Sequence, residues 1–138
     1  MHSLNRFIVL CSALLMLFAS AGALTGCSGA QQGQSGSTMT VNEVLQKIRD
    51  QGMVVSPVRS ASGGFAQDGM IAETEYGDRI RIFEFQNTAS ASMEVSRRSS
   101  SAGSAPYFYQ KGNIMVVHRG NDDRVAKVLE AVFGPKKR

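Results

Sequence analysis

A lone imidazole is the first group in this chain that could do chemistry. The only histidine outside the N-terminal segment is His118, followed closely by Asp122 and Asp123, and serines are plentiful. A serine activated by a histidine and oriented by a carboxylate would be a hydrolase triad. Nothing marks any serine as the nucleophile, because neither a Gly-x-Ser-x-Gly elbow nor a Ser-x-x-Lys pattern is present. Asp122 and Asp123 already have a sufficient task in the first turn of a helix, where the dipole favours negative charge. A zinc site at His118 would have carboxylates alone beside it. Glu73 and Glu75 are spaced to share one face of a strand, which admits a catalytic carboxylate pair, but Arg79 and Arg81 follow at the same spacing. Opposed charges across a hairpin read more simply as a solvated face. Gly63-Gly64 and Gly112 fit no phosphate-loop pattern. No catalytic residue and no metal ligand is assigned.

The second candidate is a contact surface. Tyr107, Phe108 and Tyr109 form the densest aromatic cluster, and alternation on a strand puts both tyrosines on one face. Tyrosines join apolar area to a hydroxyl, so Tyr107 and Tyr109, rimmed by Arg97, Arg98 and His118, are a possible binding surface. The alternative is that Phe108 is core and the tyrosines line a half-buried face.

The cysteines point elsewhere. Residues 1–6 hold one basic residue, Phe7 to Phe18 is an apolar run broken by Ser12, and small residues follow from Ala19 to Ala23. That is the order of a secretory signal peptide, and the run is short for a membrane span, which needs about 20 residues. It closes on Leu24-Thr25-Gly26-Cys27. This tetrapeptide resembles the lipobox of bacterial lipoprotein precursors: Leu, a small residue, Gly or Ala, then Cys. The resemblance implies cleavage between Gly26 and Cys27, a diacylglycerol on the Cys27 thiol, and a further acyl chain such as palmitate on its amine. Two or more chains hold stably in a bilayer where one is marginal. Ser28, rather than Asp, follows the cysteine, which in Gram-negative members favours the outer membrane. The alternative is an ordinary cleaved signal, for which Ala19-Ser20-Ala21 and Ala21-Gly22-Ala23 offer small-x-small sites. With the lipobox, Cys11 leaves with the signal and Cys27 becomes a thioether. No thiol then remains for disulfide, nucleophile or zinc chemistry. The only cofactor expected is that covalent lipid.

The whole chain has 138 residues, 43% hydrophobic and 19% charged, with a formal net charge of +4. Arg6 belongs to the signal, and Lys136, Lys137 and Arg138 supply the rest of the basic excess. The domain between is therefore charge-balanced, which together with the address argues against a nucleic-acid partner. The basic tail, residues 136–138, is suited to anionic headgroups or to solubility. The expected partners are the membrane, through the anchor, and another envelope protein or a small ligand.

The elements that position these groups follow from local signals. Ser28 to Thr38 is Ser, Gly and Gln with one Ala and no charge, a flexible tether of roughly 20 Å. Thr40-Val41-Asn42-Glu43 is a capping box, Val41, Val44, Leu45 and Ile48 form an apolar stripe, and Gly52 closes it. Met53 to Arg59 reads as an edge strand because of Pro57. Met70 to Tyr76 and Arg79 to Phe85 flank Gly77-Asp78 as a hairpin, whose charges suggest a register setting Glu75 opposite Arg79 and Glu73 opposite Arg81. Asn87 to Ser99 is expected to be helical, turning Ala89, Met93 and Val95 inward. Pro106 to Gln110 and Ile114 to Arg119 form a second hairpin. Asn121 is expected to cap a last helix with Val125, Val128, Leu129, Val132 and Phe133 as its stripe, ended by Gly134 and Pro135. The organisation is a signal over residues 1–26, a lipidated tether over 27–38, a domain over 39–135, and the tail. The expected fold is α+β: a mainly antiparallel sheet of about five strands, in two hairpins plus an edge strand, with three helices in the order αβββαββα.

Overall fold

The computed structural model of the protein describes residues 38–61, 63–103 and 105–137. The signal, the lipobox, the tether up to Ser37, and Arg138 lie outside the described residues.

Helix α1 (Val41–Asp50) begins where the capping box requires. Thr40 accepts the Glu43 amide through its hydroxyl, and the Glu43 carboxylate accepts the Thr40 amide at 2.7 Å. That backbone hydrogen bond, with the Thr40 hydroxyl beside it, holds the Glu43 carboxyl below its ordinary value. Gly52 follows with φ +85°, a conformation that spares a side chain strain. The chain then lays down β1 (Val55–Ser60), β2 (Asp68–Thr74), β3 (Arg79–Glu84), α2 (Thr88–Ser99), β4 (Tyr107–Lys111), β5 (Ile114–His118) and α3 (Asp123–Phe133). The expected αβββαββα order is observed.

The five strands make one antiparallel sheet in the order β1-β2-β3-β5-β4. The two hairpins, β2–β3 and β4–β5, meet along β3 and β5, and β1 is an edge, as expected of a Pro57 strand. A bulge between Pro57 and Arg59 shifts its pairing with β2. The hairpin register differs from the expected one: Glu73 lies opposite Arg79 and Ile71 opposite Arg81. The β2 partner of each β3 residue is shifted by two positions from what charge pairing suggested, because Thr74 already closes the ladder onto Asp78. Glu75 leaves the charged face and accepts the Val54 amide instead.

Each face of the sheet buries its own core. On one side α1 and α3 pack over Ala72, Ile80, Ile82, Tyr109, Ile114 and Val116. On the other, α2 covers Phe83, Phe85, Phe108, Met115 and Val117. The inward residues of α2 are Ala91 and Val95, four apart, whereas Ala89 is exposed and Met93 is 74% exposed. The expected inward positions of Ala89 and Met93 are thus corrected: the sheet takes Ala91 and Val95, while Asn87 caps the helix through the Ser90 amide. Helix α3 starts on Asp122 rather than Asn121, and its stripe is as expected, with Val125, Leu129, Val132 and Phe133 buried.

Asn113 in the β4–β5 turn ties the elements together. Its side chain accepts the Met39 amide at 2.7 Å and donates to the Met39 and Phe85 carbonyls at 3.0 and 3.1 Å. The C-terminal tail is not loose either. Lys137 pairs with Phe108 through both backbone groups and covers part of the β4 edge. Lys136 places its ammonium 4.7 Å above the Tyr107 ring.

Candidate functional site

His118 closes β5 on the face it shares with Ile114 and Val116, as strand alternation dictates. Its cross-strand neighbours are Ile80 on β3 and Tyr107 on β4, and the residue is 0% exposed. The partner of its ring is neither Asp122 nor Asp123. Asp78, delivered by the turn through Gly77 at φ +81°, sets its Oδ2 2.8 Å from His118 Nε2. The same oxygen accepts the Asp122 amide at 3.2 Å, so it acts as an acceptor and Nε2 bears the proton. Gly120 lies so close to this carboxylate that a Cβ there would overlap it. Asp78 thus pins the β2–β3 turn to the segment entering α3.

Asp122 and Asp123, expected at the start of the last helix, are engaged there. Asp122 caps α3 and grips Arg124 with both oxygens, at 3.0 and 2.6 Å. The Arg124 side chain, with its backbone amide, pulls the Asp122 carboxyl down to about 2. Asp123 lies in the first turn, where the dipole is satisfied by its charge. His118 Nδ1 is buried with no hydrogen-bond partner. A His–Asp pair of this geometry orients an imidazole as a base, yet here the free nitrogen faces the interior of the fold. No serine hydrogen-bonds the ring among the described residues.

The surface drawn from Tyr107, Tyr109, Arg97, Arg98 and His118 is divided by the sheet. Tyr109 is wholly buried in the α1/α3 core, its hydroxyl unpartnered, and Tyr107 is half-buried beside His118, ring centroids 6.4 Å apart. Burial pushes the Tyr109 phenol up to about 12, with nearby Glu130 and Tyr107 adding to the effect. Arg97 and Arg98 stand on α2, across the opposite face, and both bind Glu94. Arg98 also lies 4.4 Å over the Phe65 ring. The Arg97 hydrogen bonds hold Glu94 below its ordinary value. Strand alternation brought the tyrosines to one face as expected, but β4 lies under α3, so that face is core.

The accessible feature lies on the half of the sheet that α2 leaves bare. A groove of about 720 Å³ is lined there by Arg59, Arg79, Arg81 and Arg119 around Glu73 and Asp78. Its floor includes Ile71 and Val117, both buried. Register explains the gathering. Arg59, Ile71, Arg81 and Val117 form one row across four strands, while Arg79 alternates with Arg81 along β3 and Arg119 continues β5. Neighbouring strands are about 4.8 Å apart and alternate residues about 6.6 Å, so the four Cα positions fall within about 15 Å. Arg79 approaches Glu73 at 3.8 Å, with both side chains largely in water. Sequence reading found Arg79 and Arg81 as a charged face and missed Arg59 and Arg119. The signal is alternation opposite the core, but it becomes visible only once β1 and β5 are known to flank β2 and β3.

Among the described residues no group of three or more His, Cys, Asp or Glu could hold a metal ion, and no helix is long and apolar enough to cross a membrane. No known protein family, curated protein or solved structure matches the chain.

Proposed function

We propose that this protein is a lipid-anchored lipoprotein of the bacterial cell envelope whose α+β domain binds a partner or ligand and does no chemistry. The observation that carries the anchor is Leu24-Thr25-Gly26-Cys27 at the end of an apolar, small-residue segment. In this reading Cys27 bears a diacylglycerol thioether and an N-acyl chain, and the domain faces the periplasm or the exterior. Ser28 favours the outer membrane in a Gram-negative cell. The binding role is supported by where the reactive groups go. His118 is committed to Asp78 inside the fold and Asp122 to Arg124, while an open groove presents four guanidiniums. Its partner is an envelope protein or a small ligand rather than nucleic acid. Membrane fractionation of the wild type and of Cys27→Ser tests the anchor. The variant is expected to lose the lipid-dependent gel mobility and to stay unprocessed; unchanged mobility and processing would sink the anchor.

One observation favours a second reading, an envelope hydrolase using His118: the 2.8 Å Asp78 contact is the orientation a general base needs. That reading requires His118→Ala to abolish an activity while leaving thermal stability near wild type. Burial of the ring predicts the reverse, a loss of stability.

A further inference from the structure

Three of the four guanidiniums in the groove have no ion-pair partner among the described residues. Arg59, Arg81 and Arg119 make no hydrogen bond, ion pair or ring contact among the described residues, and the two carboxylates of the groove, Glu73 and Asp78, are outnumbered by its four guanidiniums. Only Arg79 has an acid beside it, Glu73. Cations gathered this closely repel one another unless an anion sits between them. The aliphatic stems can lie on Ile71 and Val117, which keeps the charged ends above the floor.

We propose that this groove is a binding site for the phosphate group of a phosphate-bearing ligand. A single guanidinium fork satisfies one planar carboxylate, whereas forks arriving from β1, β3 and the end of β5 match a tetrahedral anion whose oxygens point several ways. Arg81 and Arg119 stand on adjacent strands and donate paired N–H groups from one side; Arg59 donates across Ile71 from the other. The volume is in the range of small-ligand sites, about 300–1,000 Å³, and the groove is open, so the phosphate enters while the rest of the ligand stays outside. Met39, where the described chain begins to pack, is fastened to Asn113 at the far end of the sheet from Arg119. The phosphate can come from a soluble ester or from a lipid headgroup. The inference rests on the domain being a binding module and does not depend on the anchor.

The test is calorimetric titration of the full-length protein in neutral detergent with pyrophosphate and with glycerol phosphate at fixed salt. Saturable binding is expected, weakened about tenfold or more by R81A and by R119A, since each removes charge-assisted hydrogen bonds. R81K is expected not to restore it, because an ammonium lacks the fork. Melting temperatures of these variants should match wild type, both side chains being exposed. Competition by phosphatidylglycerol in mixed micelles assigns the headgroup as the source, and its failure to compete assigns a soluble ester. The proposal is overturned if no phosphate probe binds, if the R81A/R119A double variant binds equally well, or if succinate binds as tightly as pyrophosphate. A chain found without lipid on Cys27 that still binds pyrophosphate loses the anchor alone. A membrane-bound chain that binds no phosphate loses this inference alone.

Discussion

Tyr109 carries its hydroxyl into the α1/α3 core without a hydrogen-bond partner, an arrangement that ordinarily costs about 1–3 kcal/mol. Replacing it with Phe keeps the ring and removes the unpaired group. Y109F is therefore expected to be as stable as wild type at neutral pH, or about 1 kcal/mol more so, in chemical denaturation. The phenol also titrates higher in the fold than in the unfolded chain, near 12 against an ordinary 10. A raised folded value means that stability is complete below pH 10 and falls as pH rises toward 12. About 2–3 kcal/mol is expected to disappear over that interval, and Y109F should remove this part of the alkaline loss. The His118–Asp78 contact makes the opposite kind of prediction. H118A leaves a cavity and takes one of two donors from the Asp78 carboxylate, and is expected to cost about 2–4 kcal/mol. G120A should destabilise through the same carboxylate, which a methyl group would displace. An H118A protein as stable as wild type would contradict the structural role assigned to the ring.

At the scale of elements, Asn113 is the clearest single dependency. Three hydrogen bonds from one buried side chain hold the chain entering α1, the end of β3 and the β4–β5 turn. N113A is expected to cost about 3 kcal/mol by equilibrium denaturation, whereas M93A on the exposed side of α2 should change stability by less than about 0.5 kcal/mol. The elements themselves were largely readable beforehand because their signals are local. Thr40 and Glu43 lie three residues apart, Asn87 reaches only to Ser90, and Gly134 follows its own helix. What could not be read depends on partners distant in sequence. The β2–β3 register turned on the Thr74–Asp78 closure and on Glu75 finding Val54, not on the charge pairs. Met93 and Val95 both suit a weakly patterned, serine-rich helix, and only the sheet beneath decides which turns inward. Likewise Asp78 and His118 are 40 residues apart, and nothing in either neighbourhood announces the other.

Across the described residues, charge and edges are arranged so that half of one sheet face stays available. Both edges are blunted. Pro57 and its bulge interrupt β1, and Lys137 occupies the backbone groups of Phe108 on β4. Removing residues 136–138 is expected to free that part of β4 and raise self-association, measured by light scattering on heating. An unchanged scattering profile would deny the tail this role. The basic tail, read from sequence as suited to anionic headgroups or to solubility, is also partly structural, with Lys136 against Tyr107 and Lys137 in the ladder. The remaining solvent-facing guanidiniums sit where a ligand can reach them, on a domain that the N-terminal segment would keep near a bilayer. The proposed place at a membrane depends on the chemistry of Cys27. Intact-mass and N-terminal peptide mass spectrometry of the mature protein measures it directly. The account predicts a chain that begins at Cys27 and carries a diacylglycerol thioether with an N-acyl chain; an unmodified chain, or one beginning after Ala21 or Ala23, would contradict it.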